Sequence, residues 1–217
     1  LMDLTTFTAS QVHLTNPSGQ SVPITARIAP GSDAHKIEID FNVQSAPGIY
    51  TLSLGAGVRD SAGAALAART FGYTLAPSQY VFTSTKVTPI PDLGTATSAI
   101  AVNQDITIGS IQVTLNISHT YDSDLFIFLQ APDGTEVLLV NRRGGSGHNF
   151  VNTVLSDAAS QSIRIGVAPF TGTFQPESPL STFAGKDARG VWTLWVEDES
   201  AGDVGVINSW SLTIVPA

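Results

Sequence analysis

The chain has 217 residues, 42% of them hydrophobic, enough for one large or two small packed domains. Eighteen acidic residues against ten basic ones give a net charge of −8, which argues against a nucleic-acid partner and against an anionic membrane surface, since both require a basic face. There is no cysteine, so disulfide frameworks and thiolate zinc are excluded. No apolar run approaches the roughly 20 residues of a membrane helix, and no signal peptide opens the chain. A start at Leu1-Met2 reads as an excised piece of a longer protein.

Residues 1–76 read as a first unit. Short alternating runs cover residues 11–15, 22–28, 36–41, 49–54 and 70–75. Between them lie Asn16-Pro17-Ser18-Gly19, Pro30-Gly31-Ser32-Asp33, Ala46-Pro47-Gly48 and Asp60-Ser61-Ala62-Gly63. Strands at this spacing with Gly and Pro turns predict an antiparallel sandwich. Residues 64–69 fit either a short helix or a small-residue loop. The run Gly48-Ile49-Tyr50-Thr51-Leu52-Ser53-Leu54, followed by Val58-Arg59-Asp60-Ser61-Ala62-Gly63, resembles the bacterial Ig-like repeats of surface and secreted proteins. Such repeats carry a further strand or two at their start, so the unit is expected to begin inside its domain and leave an open edge.

Ala76-Pro77-Ser78-Gln79 predicts a short linker, placed at residues 77–82, with limited swing. Residues 83–217 form the second unit. Strands are expected at 100–102 and 111–117. In the latter Ile111, Val113, Leu115 and Ile117 share one face, the mark of a half-buried antiparallel strand. Leu125, Ile127 and Leu129 share a face in the same way. Pro132-Asp133-Gly134 then turns the chain into a returning strand at 137–140. Further strands are expected at 162–166, 192–197 and 210–214. Trp192, Leu194 and Val196 point into the core by parity, as do Trp210, Leu212 and Ile214. Phe126, Phe128 and Trp195 fall on the opposite face, where they would make a docking or sugar-stacking surface if nothing covers them.

The catalytic motifs are missing. Of His13, His35, His119 and His148, none belongs to an HExxH pair. Gly144-Gly145-Ser146-Gly147-His148 lacks the final Gly of a nucleophile elbow and precedes no helix. His119 has no ligand-type neighbour of its own kind, so it reads as a structural residue bonded to an adjoining loop.

Five ordered blocks, "HTYDSDLFIFLQAPDGT", "NRRGG", "PESPLSTFAG", "GVWTLWVED" and "GDVGVINSWSLTI", together resemble the P domain of the proprotein convertases over roughly residues 83–217. That module follows the catalytic domain in kexin-like and furin-like serine proteases, and bacteria attach it to many secreted proteins. The resemblance implies a jelly-roll β-sandwich, so the whole chain is expected to be all-β, an Ig-like sandwich followed by a jelly roll. It implies a non-catalytic, monomeric accessory fragment of a secreted or cell-surface bacterial protein, such as a subtilisin-like or other extracellular protease. The partner would be the catalytic domain of that parent. An adhesion or carbohydrate-binding module is the alternative, since jelly rolls also serve in lectins. The family more often places polar residues where this chain has Phe126, Phe128 and Trp195. Some P domains bind calcium in their loops, which suggests a calcium site at Asp122, Asp124, Asp198 and Asp203, beside Glu197 and Glu199. Calcium favours six to eight hard oxygen ligands, and the competing reading is a set of solvated turn acids.

Overall fold

The computed structural model describes residues 2–3, 6, 8–29, 36–65 and 67–217. It divides into two compact units, Leu1–Ser78 and Gln79–Ala217. The chain is nearly all-β, with 53% strand and 6% helix. Among the described residues no helix is long and apolar enough to cross a membrane.

The first unit holds β1 (Met2–Asp3), β2 (Val12–Thr15), β3 (Ser21–Val22), β4 (Ile24–Ile28), β5 (Ile37–Phe41), β6 (Gly48–Leu54), β7 (Arg59–Asp60) and β8 (Arg69–Leu75). Its main sheet runs β3-β2-β6-β8, with β4-β5 and β1-β7 as separate antiparallel pairs. The run expected over residues 22–28 is split at Pro23, which has no backbone N–H for a ladder. Asn16 closes the first turn by accepting the Ser18 and Gln20 amides on its side chain, and Gly19 takes a φ of 76°. Asp60 closes a later one by accepting the Ala62 and Ala64 amides. The turn expected at Pro30–Asp33 lies outside the described residues, as do His35 and Leu66. The core is small: Leu14, Val22 and Tyr50, flanked by Ile24, Leu52 and Leu75.

The second unit holds β9 (Tyr80–Ser84), β10 (Thr88–Ile90), β11 (Thr95–Val102), β12 (Ile108–His119), β13 (Leu125–Gln130), β14 (Glu136–Asn141), β15 (Phe150–Leu155), β16 (Phe170–Phe174), β17 (Gly190–Asp198) and β18 (Gly205–Pro216). One sheet runs β10-β18-β12-β15-β16, with β9 also on β18; the other runs β11-β17-β13-β14. Every pair is antiparallel except β15 with β16. The inward residues of both sheets, among them Val113, Leu115, Ile127, Leu129, Leu194 and Leu212, pack into one core, as a jelly-roll sandwich requires. Both buried tryptophans satisfy their N–H: Trp192 donates to the Ala188 carbonyl and Trp210 to Ser98 Oγ, at 2.8 and 3.0 Å.

Two local expectations give way. Residues 80–82, assigned to the linker, are strand: Tyr80 pairs with Ile214 and Ser84 with Trp210. Alternating Tyr80 and Phe82 pack against the core, which ties this stretch to the sandwich. Residues 162–166 form a 3-10 turn at Ile163–Ile165, not a strand. Ser162 caps it by accepting the Arg164 amide, and Ile163 is buried while Ile165 is exposed, so the two do not share a strand face.

Candidate functional site

At one end of the sandwich the stretches around Asp122 and Asp198 come together. β12 ends at His119 and β17 at Asp198, on opposite sheets. His119 Nε2 lies 3.2 Å from Asp198 Oδ2, and both side chains are wholly buried. The Tyr121 amide donates to His119 Nδ1 at 3.2 Å, and the Tyr121 carbonyl lies 2.9 Å from the same nitrogen. Asp198 Oδ1 accepts the Ser200 amide. A Cβ at Gly205 would collide with the His119 ring and the Ser118 carbonyl, so only glycine lets β18 pass this close.

Asp122 and Asp124 belong to a 3-10 turn between β12 and β13, and both are buried. Asp122 Oδ1 accepts the Asn149 amide at 2.8 Å. Its other oxygen, Oδ2, is buried with no hydrogen-bond partner. Burial pushes the Asp122 carboxyl up to about 6, against the opposing pull of the Asn149 amide and of His119 and His148. The Gly144–His148 loop closes over it: the Asp122 amide donates to the Gly147 carbonyl and the Ser123 amide to the Gly145 carbonyl. Gly144 has φ of 98°, and a Cβ there would press on Asp122 and Phe170. Asp124 uses its backbone, its carbonyl accepting the Glu199 amide.

Of the four carboxylates expected as one calcium set, Asp198 and Asp203 are engaged apart from Asp122 and Asp124. Asp198 faces His119. Asp203 Oδ1 accepts the Thr120 hydroxyl at 2.6 Å. Glu199 faces Arg142 at 3.8 Å, and Glu197 lies on the outer face of the sheet. Among the described residues, no three His, Cys, Asp or Glu side chains are grouped so as to hold a metal ion.

The His119–Asp198 dyad offers no hydrolytic geometry. Both ring nitrogens are committed, one to Asp198 and one to the Tyr121 backbone, and the ring is sealed from solvent. A general base needs a free nitrogen within reach of a nucleophile. The structural reading of His119 therefore holds, with a carboxylate partner that its sequence neighbours do not reveal.

The second candidate surface is the outer face of the four-stranded sheet. Phe128 stands opposite Trp195, and Phe126 opposite Glu197. The Phe126 and Phe128 rings stack with centroids 6.2 Å apart and planes 9° from parallel. Trp195 is 38% exposed and the two phenylalanines are half-buried. Thr95, Phe128, Glu136, Trp195 and Glu197 line a shallow pocket of about 210 Å³ on this face.

A third constellation was missed by sequence reading. Glu177 accepts Arg143 Nε at 2.6 Å on one oxygen and Arg164 Nε at 2.7 Å on the other. Burial works to raise this carboxyl, but the two guanidinium groups win and hold it below the usual carboxylate range. The partners lie 34 and 13 residues away, so no local spacing brings them together.

Known proteins share this sequence in part. Residues 108–214 match the proprotein convertase P-domain family. The chain is 35% identical over 164 residues to leupeptin-inactivating enzyme 1 of Streptomyces exfoliatus, covering 71% of this chain and 31% of that protein. It is 29% identical over 136 residues to a calcium-dependent protease of Nostoc sp., covering 62% and 18%. It is 35% identical over 136 residues to the transglutaminase-activating metalloprotease of Streptomyces mobaraensis, covering 61% and 15%. The chain thus spans less than a third of the length of each of these relatives.

Proposed function

From the premise that residues 108–214 match the proprotein convertase P-domain, we propose that this protein is a non-catalytic accessory part of a secreted bacterial protease. It docks on the catalytic domain of that protease and stabilises its folded state. The relatives include a metalloprotease as well as a calcium-dependent protease, so the reading does not depend on the type of catalytic centre. The observation that supports docking is the outer face of β11, β17, β13 and β14. It carries Phe126, Phe128 and Trp195 in one patch, while the inner residues of the same strands are buried. A solvent-facing aromatic patch of this kind marks an interaction surface.

Calcium belongs to this reading at Asp122 and Asp124 alone. Asp122 keeps a buried oxygen without a partner, and Asp124 lies two residues on in the same buried turn. A hard cation would satisfy that oxygen, with the Asp124 carboxylate as the second candidate ligand. Asp198 and Asp203 do not fit, because His119 and Thr120 already engage them.

The test is to mix this chain with the catalytic domain of its parent, supplied separately. Docking predicts saturable association and a higher melting temperature for the catalytic domain. Absence of both removes the reading.

A further inference from the structure

We infer that the pocket lined by Phe128 and Trp195 receives one basic side chain, an arginine or lysine, of the partner that docks there. This deepens the docking reading and rests on it.

The pocket is a chemical mismatch as it stands. Its lining joins two aromatic rings, Phe128 and Trp195, to two carboxylates, Glu136 and Glu197. Neither is neutralised. Glu136 accepts one hydrogen bond, from Gln130 Nε2 at 2.9 Å. Glu197 is half-buried, and its carboxylate has no hydrogen-bond or ion-pair partner among the described residues. In register it is flanked by Thr95 and Phe126, both uncharged. The basic side chains of the second unit are engaged elsewhere: Lys186 with Asp133, Arg189 with Asp105, Arg142 with Glu199, and Arg143 and Arg164 with Glu177, which leaves Lys86 alone without an ion pair among the described residues of that unit. Glu197 is half-buried and Glu136 exposed beside it, and two like charges lining one pocket without a counter-ion attract an external cation.

The shape agrees with the charge. At about 210 Å³ the pocket falls below the roughly 300–1,000 Å³ of an ordinary small-molecule site. Arginine and lysine combine an apolar stem with a cationic head. The stem would lie on the rings, whose faces attract a cation, and the head would meet Glu197 and Glu136. A sugar fits less well: Trp195 is the one clearly exposed ring of the trio, and two carboxylates offer acceptors where sugar hydroxyls need donors as well.

Trp195 supplies the readout. Trp192 and Trp210 are buried, so a ligand in the pocket changes the emission of Trp195. The 217-residue chain is titrated with an amidated Gly-Arg-Gly peptide, with the citrulline peptide of the same shape and no charge, and with a neutral oligosaccharide. The expected result is a saturable response to arginine, about tenfold weaker for citrulline, equivalent to about 1.4 kcal/mol. Glu197→Gln should weaken the arginine peptide several-fold, leave citrulline unchanged and leave the melting temperature unmoved. Glu136→Gln is the second variant, with the same expectation. Equal binding of arginine and citrulline overturns the inference, as does a response to the oligosaccharide alone, or no arginine response up to about 20 mM, well past a millimolar affinity. Association with the catalytic domain is measured alongside. If both Gln variants bind it as the parent chain does, docking stands and the inference fails. If the parent chain does not bind it, docking fails, and the peptide titration still decides the pocket.

Discussion

His119 Nε2 on one sheet lies 3.2 Å from Asp198 Oδ2 on the other, with both side chains wholly buried. The pair ties the two layers of the sandwich at the end where three loops converge. Removing the ring would leave Asp198 Oδ2 buried without its partner, the other oxygen still accepting the Ser200 amide. His119→Ala is therefore expected to destabilise the second unit by about 3–5 kcal/mol, read as a lower urea midpoint with an unchanged slope. A loss under about 1 kcal/mol, the range of an exposed pair, would show that the bond carries little.

The second prediction concerns pH. Asp122 holds its proton to about pH 6 in the fold, against a usual value of 3.8. A raised carboxyl means that the folded state binds the proton more tightly than the unfolded chain does. Its contribution is complete below pH 3.8 and is lost as pH rises through 6, on the order of 3 kcal/mol at most. In chelator at pH 8, Asp122→Asn should therefore melt a few degrees above the parent chain. The two should converge at acid pH. Melting curves from pH 4 to 8 check this, and a variant that melts lower at pH 8 would refute it.

The third prediction separates calcium ligands from turn acids. If a cation sits at Asp122 and Asp124, the melting temperature rises with calcium concentration. Asp122→Asn and Asp124→Asn should abolish that rise, and Asp203→Asn should retain it. A melt that ignores calcium removes the site.

The fourth prediction addresses the outer face. Trp195→Ser should change the stability of the isolated chain by less than about 1 kcal/mol, since surface replacements cost little, yet weaken association with the catalytic domain. Phe126→Ser and Phe128→Ser should cost more, because half-buried rings lose some packing. Calorimetry on the isolated chain and titration with the catalytic domain give the two readouts. A Trp195→Ser chain that docks undiminished would sink the assignment.

Much of the sandwich was legible because its strands alternate. Leu125, Ile127 and Leu129 are buried as parity requires, and so are Trp192, Leu194 and Val196. Period-two patterning reports a face directly. What alternation cannot report is pairing between distant strands. The Asp198 partner of His119 lies 79 residues away, and the Glu177 clamp draws on two arginines in separate loops. Local patterning also misled at Ile163 and Ile165, where a turn mimics alternation. The acidic residues were visible by composition, but their separate engagements depend on the hydroxyl of Thr120 and the ring of His119, which no spacing rule predicts.

The place of β18 has a consequence for how the second unit is made. This strand comes last in order, yet it lies inside its sheet, with β12 along one edge and β9 and β10 along the other. Ile111 waits for Ile214 and His119 for Gly205 before their ladder can close. A ribosome delivering the chain from its N-terminus exposes β9, β10 and β12 with their shared neighbour missing. Such long-range closure slows folding and leaves unpaired strand edges open to other chains in the meantime. Assembly of this sandwich is therefore gated by its final strand, and slow emergence of residues 205–216 would lengthen the interval in which a chaperone, or an aggregate, can claim the rest.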